Sequence, residues 1–151
     1  MIVLDFETFS HADLPKVGSY RYATDPTTDV ALLAYQRPGA PVRAWTPDSP
    51  IPEDLQSALG AGEVVLAHNA AFDRNIYEHV LQPRYGFPPV TGGWRDSRTL
   101  CALLGIPRSL EHAANALGLE QRKQDGKRLI QLFSQPHATG LLRGRVLPTD
   151  A

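Results

Sequence analysis

Short runs of apolar residues, separated by polar and turn-forming residues, recur along this 151-residue chain and predict its secondary structure. Runs rich in β-branched and other apolar residues predict strands, because such residues suit a pleated, half-buried surface. These runs cover residues 2–6, 30–35, 42–45 and 64–67, and a short strand or turn starts at Trp94. The first three strands follow one another closely, so we expect them to form an antiparallel meander.

Apolar residues at a spacing of three or four predict helices elsewhere. One predicted helix starts near Pro52. Four others cover residues 70–81, 97–104, 110–117 and 127–133. Polar and turn-forming residues predict long loops over residues 10–29 and 82–93. The order β-β-β-α-β-α, followed mainly by helix, predicts an α/β domain in which helices pack on a mixed sheet.

Charge and cysteine content narrow the class of protein. A net charge of −1 argues against a protein that coats polyanions. Residues 1–75 hold ten acidic residues (Asp and Glu) and five basic ones (Lys and Arg). Residues 76–151 hold six acidic and ten basic residues. This asymmetry is compatible with a metal site beside a phosphate-binding surface.

The setting predicted for the chain is the cytoplasm. Cys101 is the single cysteine, so no internal disulfide forms and a reducing compartment is expected. No apolar run approaches the roughly 20 residues that a membrane helix needs. Acids appear from residue 5 onwards, so we expect no signal peptide and no membrane partner.

Two carboxylates, Asp5 and Glu7, end the first strand. Side chains alternate across a strand, so Val3, Asp5 and Glu7 share one face. Two like charges at the end of an apolar strand raise each other's pKa, and a hard divalent cation with oxygen ligands removes that cost. The alternative is a solvated strand end with Asp5 capping the next turn, and for an isolated pair this alternative is the better interpretation.

A second polar pair, Asn69 and Asp73, follows the strand at residues 64–67. If a helix begins near Asn69, the two side chains lie on one face of its first turn, at the carboxyl end of the strand. Asp73 is then placed to converge with Asp5 and Glu7. The alternative is a helix start in which Asn69 is the N-cap and Asp73 a favourable first-turn acid.

The two pairs together carry a resemblance. Asp5-Phe6-Glu7-Thr8, followed by AHNAAFDR at residues 67–74, resembles the first two motifs of the DnaQ-like (DEDD) 3′–5′ exonucleases. That family includes the proofreading domains of family A DNA polymerases. Residues 13–26, 94–100 and 109–119 are similar to the exonuclease-like region at the start of phage and prophage DNA polymerases. The resemblance covers roughly residues 1–136, which we take as the domain.

The resemblance implies a ribonuclease-H-like sheet and a phosphodiesterase site with two divalent cations, Mg²⁺ or Mn²⁺. Asp5 is expected to bind both cations, Glu7 to bind the one that carries the attacking water, and Asp73 to hold the second. Two cations about 4 Å apart activate a water and stabilise the leaving oxygen together. Asp96 is a further acid of interest, but we favour an N-cap role for it over a metal role.

Substrate contacts are also expected from the resemblance and from position. The backbone around Phe6 and Thr8 is expected to touch the terminal nucleotide, and Asn69 to form a hydrogen bond near it. His68 and Arg74 lie beside the motif, with a packed His68 and a salt-bridged Arg74 as the alternatives. Three aromatic residues are considered as base-stacking or core residues: Phe9, Tyr20 and Tyr22.

The family's fourth acid, in Tyr-x-x-x-Asp or His-x-x-x-x-Asp, is not found in the chain. We expect it to begin shortly beyond residue 151, either because the chain is a fragment of a longer protein or because it is a truncated relative. Residues 137–151 are expected to be a poorly ordered tail or the start of a further segment, and apolar sheet surface is expected to be exposed.

The predicted function is a metal-dependent 3′–5′ exonuclease domain that hydrolyses terminal phosphodiesters of DNA at single-stranded or frayed 3′ ends. A polymerase domain in the same polypeptide is the expected partner. One alternative is a non-catalytic nucleic-acid-binding or polymerase-docking module derived from that fold. An RNA exonuclease is another, since the same site serves either nucleic acid.

Overall fold

A computed structural model describes residues 1–119, 141–142 and 145–146 of the chain. Its strands are β1 (Ile2–Phe9), β2 (Asp29–Gln36), β3 (Arg43–Trp45), β4 (Val65–Ala67), β5 (Trp94–Asp96), β6 (Leu141–Leu142) and β7 (Arg145–Val146). Its helices are α1 (Leu14–Thr24), α2 (Glu53–Gly60), α3 (Ala70–Ile76), α4 (Gln82–Tyr85), α5 (Ser97–Leu103) and α6 (Leu110–Ala116). A π-helical turn over Tyr77–Leu81 joins α3 to α4.

Five strands form one mixed sheet in the order β3-β2-β1-β4-β5. β1, β2 and β3 pair antiparallel, as the meander predicted, while β4 and β5 continue the sheet in parallel with β1. Helices link the parallel strands, because a parallel connection needs a crossover. The structure confirms the predicted α/β class, and the arrangement is consistent with a ribonuclease-H-like sheet.

One face of the sheet carries the core. Along β1, Ile2, Leu4 and Phe6 are buried and belong to a hydrophobic cluster with residues of α2 and α3. The intervening residues of β1 point to the other face, where Val3 is 42% exposed. Asp5 and Glu7 lie on that second face, so the alternation read from the sequence is confirmed.

The predicted loop over residues 10–29 is wrong, because it contains α1. The helix has a kink at Gly18, whose φ of 77° is outside the helical range, and it includes several of the polar and turn-forming residues from which the loop was predicted. Tyr22 and Ala23 are nevertheless buried, and Ser19 accepts a hydrogen bond from Asn75 of α3 (3.0 Å). Tertiary packing therefore stabilises a helix that has little intrinsic amphipathicity.

Most of the other predicted elements differ from the observed ones mainly in the residues at which they begin and end. The helix predicted over residues 70–81 continues through the π-helical turn into α4, so the first part of the predicted loop at residues 82–93 is helical. In the predicted tail at residues 137–151, the described residues are those of the paired strands β6 and β7. The helix predicted over residues 127–133 lies outside the described residues.

No helix within the described part of the chain is long and apolar enough to cross a membrane.

Gly92 provides a test of the close backbone packing that precedes β5. A Cβ atom at Gly92 would collide with the carbonyl oxygens of Gly62 and Glu63. We expect Gly92→Ala to lower the free energy of unfolding by about 1–3 kcal/mol, measured by urea denaturation, because backbone atoms have to move. Gly60→Ala is the matched control, because a Cβ at this helical position meets nothing within 4 Å.

The control should be neutral or stabilising by up to about 1 kcal/mol. Equal effects of the two substitutions would contradict the packing described for Gly92.

Candidate functional site

Helix α3 docks against β1 where β1 extends beyond β4. The pairing of β1 with β4 runs through Ile2 and Val3. Further along β1, the backbone N–H of Phe6 lies near the carboxylate of Asp73 and favours its ionised form. Asp73 is 3% exposed, so a potentially charged group is buried at the junction of strand and helix.

The surroundings of Asp73 disfavour the ionised form of its carboxyl group. Burial is the largest cause and the nearby charge of Asp5 the second, and together they raise the pKa of Asp73 to about 7. Hydrogen bonds from the backbone N–H groups of Asp73 and Phe6 lower the pKa but do not compensate. The structure therefore brings two of the predicted acids together, from the first strand and from the helix after the fourth.

The metal assignment of Asp5, Glu7 and Asp73 stays a prediction. Among the described residues, no group of three or more His, Cys, Asp and Glu side chains is arranged to hold a metal ion. Glu7 is exposed on the same face of β1 as Asp5 but does not complete a three-ligand group. The chemistry of the Asp5–Asp73 pair does fit a hard divalent cation, since carboxylate oxygens are its preferred ligands and its charge would relieve their repulsion.

Asn69 lies at the bend between β4 and α3. Its backbone is left-handed (φ 76°, ψ 50°), a conformation that asparagine tolerates better than most residues. Its side chain does not cap α3; the amide oxygen accepts a hydrogen bond from Arg98 Nη1 at 3.1 Å instead. The expectation that Asn69 and Asp73 share one helical face is therefore wrong, because Asn69 precedes the helix and turns towards α5.

Asp96 holds the starts of two helices. Its Oδ1 accepts hydrogen bonds from the backbone N–H groups of Asn69 and Arg98, each at 2.9 Å, and the nearby N–H of Ala70 also favours the charged carboxylate. Partial burial opposes ionisation, but these hydrogen bonds outweigh it and leave the pKa of Asp96 below its usual value. The predicted N-cap role at α5 is confirmed, and the contact with α3 is additional.

His68 is held at both ring nitrogens. Its Nε2–H donates to the carbonyl oxygen of Arg108 (2.9 Å), and Nδ1 shares a hydrogen bond with Ser97 Oγ (2.9 Å). The ring thus ties the end of β4 to α5 and to the loop before α6. This is the packed alternative for His68, and its contact with substrate stays a prediction.

The other residues that were predicted to contact the substrate differ in how far their side chains are exposed to solvent. Arg74 is exposed on α3 and pairs with Glu78 at 2.8 Å, as the salt-bridged alternative proposed. The side chain of Phe6 is in the core, and that of Thr8 is buried, so contact with a nucleotide is open to their backbone alone. Tyr22 and Phe9 are also buried, which makes base stacking by either side chain wrong, whereas Tyr20 is 60% exposed.

Sequence reasoning missed a hydrogen-bonded group behind the site. The hydroxyl groups of Thr8 and Tyr22 are 3.0 Å apart, and those of Thr28 and Ser10 are 2.7 Å apart. Three of these residues lie in the stretch that was predicted to be a loop. The available signal was the adjacent Tyr22-Ala23 pair within this polar stretch, and both residues are buried in the structure.

Comparison with known proteins relates the chain to one polymerase. No protein-family model matches it. The DNA polymerase of Bacillus phage SP02 is 32% identical to it over 137 residues, which represent 88% of this chain and 20% of the polymerase. The chain therefore spans about a fifth of the length of this relative and is similar to one part of a DNA polymerase.

The raised pKa of Asp73 predicts a pH-dependent stability. Because Asp73 has a pKa of about 7 in the folded chain and about 3.9 when unfolded, the unfolded state loses its proton first as the pH rises. As the pH rises from about 4 to 7, the free energy of unfolding of the wild type should therefore fall relative to that of Asp73→Asn. The decrease should be up to about 1.4 kcal/mol per pH unit. Urea unfolding in EDTA from pH 4 to 8 measures this difference.

Asp54→Asn is the control for this experiment. Partial burial raises the pKa of Asp54, but the Tyr35 hydroxyl and Arg43 outweigh it and lower the pKa below its usual value. This variant should be less stable than wild type at neutral pH, and the difference should shrink as the pH falls. A pH-independent difference for Asp73→Asn would contradict the electrostatic description of the site.

Asp96 caps α5 and also contacts the start of α3. Removing its side chain should therefore lower the free energy of unfolding more than removing an ordinary helix cap. Asp96→Ala should lower the free energy of unfolding by roughly twice as much as Ser109→Ala, for which about 1 kcal/mol is typical of one helix cap. Ser109 accepts a hydrogen bond from the N–H of His112 and so caps α6 alone. Equal losses in urea denaturation would show that the contact of Asp96 with α3 contributes nothing.

Proposed function

We propose that this chain is a metal-dependent 3′–5′ exonuclease unit that hydrolyses terminal phosphodiesters of DNA and works within a DNA polymerase. The observation that supports the proposal most is the pairing of Asp5 with the buried Asp73 at the junction of β1 and α3. A buried acid whose pKa is raised by burial and by a second acid is typical of functional sites. The similarity to part of a phage DNA polymerase supports the polymerase setting.

In this proposal the acidic residues hold two divalent cations, Mg²⁺ or Mn²⁺. Asp5 would supply ligands to both, Glu7 to the one that carries the attacking water, and Asp73 to the other. When bound, the cations lower the pKa of a water and stabilise charge on the phosphate. Asp73 would be held as the ionised carboxylate when a cation is bound, because a positive charge beside it would offset the unfavourable field of Asp5.

The DNA strand is proposed to enter with its 3′ end beside the backbone of residues 6–8. Asn69 and His68 are already held by Arg98 and Arg108, so their contribution is to fix the edge against which the terminal nucleotide rests. Arg74, with its exposed guanidinium, is available to a phosphate once it leaves Glu78. The substrate is a single-stranded or frayed end, because one strand has to reach the acidic pair between β1 and α3.

A direct test uses 5′-labelled single-stranded DNA with Mg²⁺ or Mn²⁺. The chain should shorten the DNA one nucleotide at a time from the 3′ end, and a 3′-blocked strand should resist. Asp5→Ala should reduce the rate by at least about 100-fold, since loss of a supporting residue alone costs about 10–100-fold at metal sites. Glu53→Ala, an exposed acid on α2, is the control that should retain the rate.

Full activity of Asp5→Ala would refute the assignment. The same assay with labelled RNA of identical sequence decides between DNA and RNA as the substrate.

A non-catalytic nucleic-acid-binding or polymerase-docking module is the second candidate. It is favoured by the lack of a three-ligand metal group among the residues that the structure describes. This candidate predicts DNA binding that is unaffected by EDTA, no saturable Mn²⁺ binding and no shortening of the strand. Calorimetric titration with Mn²⁺ separates the two candidates, because the exonuclease requires saturable binding that Asp5→Ala abolishes.

A further inference from the structure

We infer that Tyr22 is a positioning residue for the acidic pair, in that its hydroxyl sets the direction of Glu7 through Thr8. This inference rests on the proposed function, since it concerns how that site is kept in its working geometry. Tyr22 is 6% exposed, lies in the second half of α1 and carries no charge at neutral pH. It contacts neither a cation nor a substrate, so any effect must pass through its neighbours.

The first observation is the hydrogen bond between Tyr22 and Thr8. The hydroxyl oxygens are 3.0 Å apart and the pair is buried. Thr8 directly follows Glu7 on β1, and its side chain points to the core face while that of Glu7 points to the open face. The Tyr22 hydroxyl binds Thr8 on the core side of β1. This contact therefore also limits the rotation of the backbone that carries Glu7.

The second observation is a β-bulge at this position. Glu7 faces Leu32 of β2, whereas Thr8 faces Val30, so Ala31 is an additional residue on β2. Bulges locally disrupt the hydrogen-bond ladder and change the direction of side chains. The β1–β2 ladder is therefore irregular between Glu7 and Thr8, and a contact from outside the sheet adds a constraint there.

The third observation is that the same side chain reaches the helix of Asp73. The ring of Tyr22 packs against that of Phe72, with centroids 6.0 Å apart and planes tilted by 42°. Phe72 precedes Asp73 on α3. Tyr22 thus contacts a residue adjacent to each of two proposed metal ligands, one on β1 and one on α3.

Tyr22 is itself fixed by the chain around it. Its carbonyl oxygen accepts a hydrogen bond from the hydroxyl of Thr28, whose oxygen lies 2.7 Å from Ser10 Oγ in a second hydroxyl–hydroxyl hydrogen bond. Thr28 is fully buried just before β2, and Ser10 follows β1. The tyrosine is therefore anchored to both strands that form the bulge.

Tyr35 provides a matched control for a purely structural role. It is 2% exposed, and its hydroxyl donates a hydrogen bond to Asp54 at 2.9 Å. It lies on β2 opposite Leu4, and its hydroxyl partner is on α2 rather than beside the acidic pair. Tyr35→Phe and Tyr22→Phe each remove one hydroxyl from a side chain that belongs to the same core.

The experiment compares Tyr22→Phe, Thr8→Val, the double variant and Tyr35→Phe in the full chain. It measures kcat and KM on single-stranded DNA with Mn²⁺, the Mn²⁺ dissociation constant by calorimetry, and Tm. We expect Tyr22→Phe to lower kcat by about 10-fold or more, as for other residues that orient metal ligands, with KM within about 2-fold. Tyr35→Phe should leave kcat and Mn²⁺ affinity unchanged although its Tm also falls.

Thr8→Val should reproduce the loss, and the double variant should be no worse than either single one, because all three remove the same hydrogen bond. If Tyr22→Phe matches Tyr35→Phe in kcat and Mn²⁺ affinity, the inference is overturned while the proposed exonuclease stands. If wild type neither hydrolyses DNA nor binds Mn²⁺, the proposed function fails and the inference fails with it. Additive losses in the double variant would also overturn the inference.

Discussion

The burial of Asp73 near Asp5, where α3 meets β1, is the constraint on which the candidate site depends. It sets an acid of the helix that follows β4 against the first strand, where burial and the charge of Asp5 both oppose its ionisation. Burying an acid next to another acid is unfavourable, and acids held in this way are frequent at functional sites. The arrangement is tolerated because backbone N–H groups compensate part of the cost.

The surrounding residues restrict how α3 can move. Asp96 holds the start of the helix, and the left-handed Asn69 turns the chain sharply so that the first turn faces β1. On the other side, Tyr22 packs against Phe72 and contacts Thr8. Residues far apart in the sequence therefore converge on one short helix, which is the usual way in which a scaffold keeps a functional side chain in a defined geometry.

Much of the fold was predictable because local patterns and tertiary burial agree. β1, β2 and α2 have apolar residues at the spacing that their buried faces require, so periodicity was sufficient. Helix α1 was missed because Gly18 interrupts it and its buried residues are few. Its stability comes from packing against α3, which is a contact that no local pattern contains.

The sequence by itself determined the mixed sheet, the face on which Asp5 and Glu7 lie and the strand end from which Asp73 arises, because these follow from residue periodicity and chain order. The tertiary structure alone decided that Asp73 is buried beside Asp5, that Asn69 turns away from it and that Asp96 holds two helices. Those outcomes depend on distances between elements and on which backbone groups are left for a side chain to bind. Local spacing carries no information about either.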